Sequence, residues 1–170
     1  WHSRAFAGEP LPSLDAIATY VLRNGFALNI EIKPTPGQEL ETGRVVAREA
    51  ARLWAESRHE PVAPPLLSSF RPEALQGARE TAPELPRALL LDTLWSDWAD
   101  VARALDVRAC VTNYQLMDAT LIAQLHAAGW RALVYTVNDP AEAQRLLNLG
   151  IDGIITDSVD RFSPGDSLRD

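Results

Sequence analysis

The stretch over residues 131–157 reads RALVYTVNDPAEAQRLLNLGIDGIITD and contains one strand–helix–strand unit. Its apolar start, Arg131 to Val137, predicts a strand, and Gly153 to Asp157 predicts the next one. Between them, Asp139 is placed to cap a helix and Gly150 to end it. Two strands joined through a helix predict a parallel pair with a right-handed crossover.

This unit repeats along the chain. Strand-like segments start at residues 87, 109, 131 and 153, a constant spacing of 22 residues, and two more lie over 27–33 and 65–70. The alternation predicts an α/β sheet covered by helices, which is compatible with a (β/α)8 barrel, an open doubly wound sheet or a leucine-rich-repeat horseshoe. The horseshoe's leucine and asparagine consensus is absent, and no glycine-rich phosphate loop follows a strand.

A barrel of the TIM type is therefore favoured, but the chain is short for one. A complete (β/α)8 barrel takes about 250 residues, whereas this chain has 170. We expect an incomplete barrel that lacks its first strands. The length corresponds to one domain, so residues 1–170 are expected to form a single partial barrel.

Composition and charge exclude several classes of protein. Hydrophobic residues make up 46% of the chain and charged residues 23%, which argues against disorder, collagen-like structure and coiled coils. The net charge of −7 repels phosphate backbones, so we expect no nucleic-acid partner. The single cysteine, Cys110, excludes an intramolecular disulfide. Neither a membrane span nor a signal-peptide pattern is found, so we expect a cytoplasmic protein.

The first predicted strand, ALNIEIK over residues 27–33, carries the strongest candidate site. Because side chains alternate along a strand, Ile30 and Ile32 share one face while Glu31 and Lys33 share the other. With the apolar face under helices, Glu31 and Lys33 point into the barrel at its carboxyl end, where such barrels carry their active sites. A carboxylate there can bind a hard divalent cation and an ammonium can hold phosphate. The alternative is a solvated ion pair on an edge strand.

Other polar strand ends are weaker candidates. Ser68 and Ser69 lack the glycine-flanked elbow of a catalytic serine, so strand-end hydrogen bonding is preferred for them. Tyr135 either lines a pocket or fills the barrel. The histidines, which are His2, His59 and His126, follow no predicted strand, and we expect no metal site from them.

Four motifs in order carry a family resemblance: LNIEIK over 28–33, LSSF over 67–70, VYTVN over 134–138 and LGIDGIITD over 149–157. With the lead-in FAGEPLPSL over 6–14, they closely resemble the glycerophosphodiester phosphodiesterase family. The resemblance implies a TIM-like barrel that hydrolyses glycerophosphodiesters, which are small molecules, to glycerol 3-phosphate and an alcohol.

The resemblance also implies roles for four residues. Glu31 is expected to bind a divalent cation, Mg2+ or Ca2+, and Lys33 to contact the substrate phosphate. Phe70 and Tyr135 are expected to line the pocket, with Tyr135 replacing the family's usual Trp as an aromatic wall against the glycerol moiety.

Part of the family pattern is not found in this chain. The family's amino-terminal portion carries a His-Arg-Gly strand, a strand with two further acidic metal ligands and a His-Asp pair. The resemblance therefore implies that the chain corresponds to the carboxyl-terminal two-thirds of a family member and that it has negligible activity alone.

Two alternatives stay open. The chain could be a non-catalytic α/β remnant that self-associates, covering an open barrel edge as a homo-oligomer, or binds another partner. It could also be an unrelated α/β barrel enzyme that uses Glu31 and Lys33 as an acid–base pair, in which case a chelator would not affect its activity.

Overall fold

The structure is a computed structural model that describes Arg4 and residues 7–56 and 62–162. His2 and His59 lie outside the described residues. Strands and helices alternate in the order α1 (Leu14–Asn24), β1 (Asn29–Glu31), α2 (Glu39–Ala55), β2 (Leu66–Ser69), α3 (Pro72–Thr81), β3 (Arg87–Leu91), α4 (Trp98–Ala104), β4 (Ala109–Asn113), α5 (Ala119–Ala127), β5 (Arg131–Tyr135), α6 (Pro140–Asn148) and β6 (Gly153–Ile154). All six predicted strands are present, and four of them are shorter than predicted.

The strands form one parallel sheet in sequential order from β1 to β6. This order means that every helix crosses over on the same side of the sheet, as in a barrel and unlike a doubly wound sheet. The predicted α/β class is confirmed, whereas the assignment to an eight-stranded barrel that lacks its first strands remains a prediction.

The sheet is curled. In a flat sheet, β2 and β5 would be about 14 Å apart, since neighbouring strands are separated by about 4.8 Å. The rings of Phe70, just after β2, and Tyr135, on β5, nevertheless have centroids 5.6 Å apart. Their side chains therefore converge on the concave face, which makes the structure a partial barrel.

Apolar side chains occupy both faces of the sheet. The helix-covered convex face contains two clusters, one between α2, α3 and the first strands and a larger one under α4, α5 and α6. The concave face has its own small cluster, which consists of Ala88, Leu90, Ala109 and Val111 with Leu66, Leu133 and Tyr135 packed against it. Cys110 points to the helix side and is fully buried, and burial raises the pKa of its thiol to about 12.

Helix ends follow local sequence signals. Asp139 accepts hydrogen bonds from the N–H groups of Ala141 and Glu142 at the start of α6, and Gly150 follows this helix with a φ of 93°. A side chain at that φ would be strained, so glycine is the suitable residue there. The predicted capping residue and helix stop are both confirmed.

Helices α2 and α3 pack backbone against backbone. A Cβ atom built on Gly43 of α2 would lie 1.9 Å from the carbonyl oxygen of Ala74, and one built on Gly77 of α3 would lie 2.0 Å from that of Leu40. Neither contact can be relieved by rotating a side chain, because backbone atoms are on both sides.

Arg87 ties two loops together at the amino end of the sheet. Its side chain is 2% exposed and donates to the carbonyl oxygens of Pro83 and Leu85 on one side and of Leu105 and Asp106 on the other. A second contact reaches the Asp106 carboxylate at 3.4 Å. For the Leu85 and Leu105 carbonyl groups, whose bonds to Arg87 are buried, the guanidinium replaces the water that would otherwise donate to them.

His126 forms a hydrogen-bonded pair with Asp152 at the same end of the sheet. Its Nε2 lies 2.8 Å from the Asp152 carboxylate, which also accepts from the Ala132 N–H at 2.7 Å. Burial alone would raise the pKa of Asp152, but these two hydrogen bonds and the charge of His126 lower it below its ordinary value. The pair therefore connects α5, β5 and the residue that precedes β6.

This depressed pKa predicts a pH-dependent contribution to stability. The unfolded Asp has a pKa of about 3.9, so the contribution is present above that pH and is lost as pH falls through the lower folded value. We expect Asp152→Asn to lower the free energy of unfolding by about 1 kcal/mol at pH 7 and by less at pH 3. Urea unfolding at both pH values checks this, and a difference of equal size at both would contradict it.

Candidate active site

Glu31 and Lys33 lie at the carboxyl end of β1, on the concave face. Ile32 is buried under α2 and α3, whereas Glu31 is in register with Ser68, which is in register with Ala88 of the concave cluster. The predicted alternation of faces is therefore present. The Lys33 Nζ lies 3.5 Å from a Glu31 oxygen, with side chains 77% and 34% exposed.

The backbone between these two residues is held by β2. The Ile32 N–H donates to the Ser68 carbonyl at 2.7 Å, and the Ser69 hydroxyl donates to the Ile32 carbonyl at 2.7 Å. Ser69 also accepts from the Arg71 N–H. Ser69 therefore has the structural role expected for it, because its bonds fix the point at which Glu31 and Lys33 leave the strand.

Ser68 differs from its neighbour. It faces the concave side beside Glu31, is fully buried, and its Oγ has no hydrogen-bond partner among the described residues. A buried hydroxyl without a partner costs about 1–3 kcal/mol. Such groups call for a bound water, ion or further polar atom.

Phe70 and Tyr135 form the aromatic part of the site at the carboxyl end of the sheet. Their rings meet edge to face with centroids 5.6 Å apart, and the Tyr135 hydroxyl donates to the Leu91 carbonyl at 3.1 Å. Burial raises the pKa of Tyr135, and the negative charges of Asp92 and Glu31 raise it further. Tyr135 is thus a neutral hydrogen-bond donor.

Asp92 was not identified from the sequence. It directly follows the fully buried strand β3, and its charge acts on Tyr135 together with that of Glu31. A cavity of about 370 Å³ beside it is lined by Phe70, Arg71, Pro72, Leu90, Asp92 and Trp95. An acidic residue immediately after a buried strand was the available signal, because strand ends form this face of the fold.

Asn138 and Asp157 connect the last two strand ends. The Asn138 side-chain oxygen accepts from the Thr156 hydroxyl at 3.0 Å and from the Asp157 N–H at 2.9 Å. Asn138 therefore joins the loop after β5 to the loop after β6, and the capping of α6 is left to Asp139.

Residues 1–161 match the model of the glycerophosphoryl diester phosphodiesterase family. The chain belongs to this family. The family match supports the identification made from the four ordered motifs.

Individual relatives agree with the family assignment. A glycerophosphodiester phosphodiesterase from Caldanaerobacter subterraneus is 28% identical over 153 residues, which are 89% of this chain and 60% of that protein. YhdW from Bacillus subtilis is 25% identical over 166 residues, which are 94% of this chain and 64% of YhdW. The chain thus spans less than two thirds of the length of these relatives.

Solved structures show the same fold. A phosphodiesterase from Oleispira antarctica, solved in complex with its product sn-glycerol-3-phosphate, is 28% identical and has a TM-score of 0.75 over 85% of this chain and 57% of its own. A glycerophosphodiester phosphodiesterase from Agrobacterium tumefaciens is 23% identical and has a TM-score of 0.68 over 92% of this chain and 63% of its own.

For this family member, the donor set for a cation is partial. The described residues contain no group of three His, Cys, Asp or Glu side chains that could hold a metal ion. Glu31 could supply one hard oxygen ligand, whereas Mg2+ takes six ligands and Ca2+ six to eight. Over the described ranges, no helix is long and apolar enough to cross a membrane.

Proposed function

We propose that this protein is a glycerophosphodiester phosphodiesterase and that these residues carry the part of its active site that holds glycerol phosphate. The observation that carries the proposal is the convergence of Glu31, Lys33, Phe70 and Tyr135 at one end of a curled parallel sheet in a chain of this family. The Oleispira antarctica relative, which holds sn-glycerol-3-phosphate, supports the product class.

Each of these side chains has a role that suits its chemistry. The exposed Lys33 ammonium binds a phosphate oxygen as a compact point charge. The rings of Phe70 and Tyr135 form an apolar wall for the carbon atoms of glycerol. The Tyr135 hydroxyl, which remains protonated, donates its hydrogen bond to the Leu91 carbonyl and so holds the ring in place.

Glu31 is proposed as one oxygen ligand of a divalent cation, Mg2+ or Ca2+. When bound, such a cation offsets the negative charge of the phosphodiester. Because Glu31 alone supplies too few ligands, water and substrate oxygens must complete the set in this part of the site. For the same reason, we expect the 170 residues alone to show negligible turnover.

Binding of sn-glycerol 3-phosphate by the 170-residue chain tests the phosphate role. We expect Lys33→Met to raise the dissociation constant measured by calorimetry at least tenfold, because a hydrogen bond to a charged group contributes about 1.5–3 kcal/mol. The matched control is Arg23→Met, which removes an exposed charge from the end of α1, before β1 begins. This control should change binding less than twofold.

Hydrolysis of glycerophosphocholine with Mg2+ or Ca2+ tests the proposed reaction and the proposed role of Glu31. Robust turnover that Glu31→Ala abolishes would support the reaction class but contradict the expected inactivity of these residues alone. Turnover that is indifferent to a chelator would favour the acid–base pair. If neither binding nor turnover is found, and light scattering shows oligomers, the self-associating remnant replaces the proposed function.

A further inference from the structure

The hydroxyl group of Ser68, on the concave face, has no acceptor for its hydrogen bond. Within the described part of the chain, its Oγ is the one buried side-chain nitrogen or oxygen without a hydrogen-bond partner. The adjacent Ser69 is equally buried, but its hydroxyl donates to the Ile32 carbonyl. Because a buried donor without an acceptor destabilises a folded protein, we expect the Ser68 hydroxyl to have a partner in another state of the site.

The neighbours of Ser68 on this face include one hydrogen-bonding side chain. Glu31 lies beside Ser68 on β1, and Ala88 lies beside it on β3, each in register with it. Along its own strand, its neighbours on this face are Leu66 and Phe70, which are apolar. Since neighbouring strands are about 4.8 Å apart, a rotation of the Glu31 side chain is enough to bring its carboxylate to the Ser68 hydroxyl.

In the structure, the Glu31 carboxylate is paired with Lys33 instead, at 3.5 Å. This ion pair is weak, because the Lys33 side chain is largely exposed and exposed pairs contribute little to stability. The proposed phosphate contact uses the same ammonium group. A bound phosphate therefore competes with Glu31 for Lys33, and the displaced carboxylate needs another donor.

We infer that Ser68 is a positioning residue for Glu31, whose carboxylate moves from Lys33 to the Ser68 hydroxyl when a phosphate group binds Lys33. In the free site, the Ser68 hydroxyl is unpaired, whereas in the occupied site all three side chains have partners. Hydrogen bonds to a carboxylate are stronger than those between neutral groups. Such a bond fixes one carboxylate oxygen and leaves the other for the proposed cation.

The inference rests on the proposed function for its phosphate ligand, but the exchange of partners is tested without any ligand. Urea unfolding of the 170-residue chain is measured with Lys33→Met, which imitates the loss of the ammonium group to phosphate. In the unchanged protein, Ser68→Ala removes an unpaired hydroxyl and should raise the unfolding constant by less than about twofold. In the Lys33→Met protein, the hydroxyl has Glu31 as its acceptor, so Ser68→Ala should raise that constant at least about fivefold. Adding Glu31→Met should abolish this increase.

Ser69→Ala is the matched control for these measurements. Its hydroxyl donates to the backbone carbonyl of Ile32, an acceptor that neither Lys33→Met nor Glu31→Met removes. The loss of stability caused by Ser69→Ala should therefore be the same in each background. If the effect of Ser68→Ala is also the same in each background, Ser68 does not exchange partners with Lys33, and the inference is overturned.

Calorimetry with sn-glycerol 3-phosphate separates this inference from the proposed function. Ser68→Ala should raise the dissociation constant at least about threefold without lowering the melting temperature of the free protein, and it should have no such effect in the Glu31→Met protein. If the ligand binds equally well with and without Ser68→Ala, the positioning role is wrong while the phosphate site stands. If the ligand does not bind but Ser68→Ala destabilises only the Lys33→Met protein, the exchange stands and the proposed function fails.

Discussion

Replacing Gly77 with alanine is expected to destabilise the protein by about 3 kcal/mol, at the upper end of what overpacking typically costs. The added Cβ would lie 2.0 Å from the Leu40 carbonyl oxygen, so α2 and α3 must move apart. The same applies to Gly43→Ala, whose Cβ would lie 1.9 Å from the Ala74 carbonyl oxygen. Chemical denaturation of both variants measures the effect.

The sign of this effect makes the test decisive. In an exposed helix, a change from glycine to alanine stabilises by about 1 kcal/mol, because alanine is the better helix former. Arg48→Ala at an exposed position of α2 is the control and should shift the free energy of unfolding by less than about 0.5 kcal/mol. A raised melting temperature for Gly77→Ala would contradict the backbone contact between the helices.

Replacing Arg87 with methionine is expected to cost about 3 kcal/mol, because several carbonyl groups lose their donor at once. Methionine has a long side chain that can fill the space, so the loss of hydrogen bonds dominates. Arg87 donates to carbonyl oxygens in both the α3–β3 loop and the α4–β4 loop, and these loops should separate first on heating.

Arg108 provides a matched control for Arg87. Both guanidinium groups contact the Asp106 carboxylate, but the Arg108 side chain is 67% exposed and its contact is 3.7 Å long. Exposed pairs of this kind contribute about 0–1 kcal/mol, so Arg108→Met should be close to neutral. Equal losses for the two variants would show that the ion pair, and not the buried carbonyl bonds, is what Arg87 provides.

Local sequence signals predicted the elements whose position is set by residues close together in the chain. Strands β3 and β4 begin at the predicted residues 87 and 109, because an apolar run follows turn residues at each of these points. Strand β1 is shorter than predicted and covers only Asn29–Glu31, since a sequence run records apolar character and not the length over which a neighbour pairs. The contact between helices α2 and α3 was not predicted, because the glycines that form it, Gly43 and Gly77, give no apolar signal in the sequence.

The candidate site likewise contains residues that the sequence predicted and one that it did not. Glu31 and Lys33 were predictable because the alternation of side chains along a strand is a property of the backbone. Asp92 was not predicted, because the cavity beside it also depends on residues that follow another strand. Its cavity brings together Phe70 from the end of β2 and Trp95 from the loop after β3.

By itself, the sequence determined the strand–helix repeat, the helix caps and the face on which Glu31 and Lys33 lie, since these follow from backbone periodicity and from groups a few residues apart. Only the tertiary structure decided that the rings of Phe70 and Tyr135 meet across the two strands between them and that α2 and α3 touch through Gly43 and Gly77. The physical reason is that both contacts depend on the curl of the sheet and the approach of its helices, which arise from packing among residues far apart in the chain.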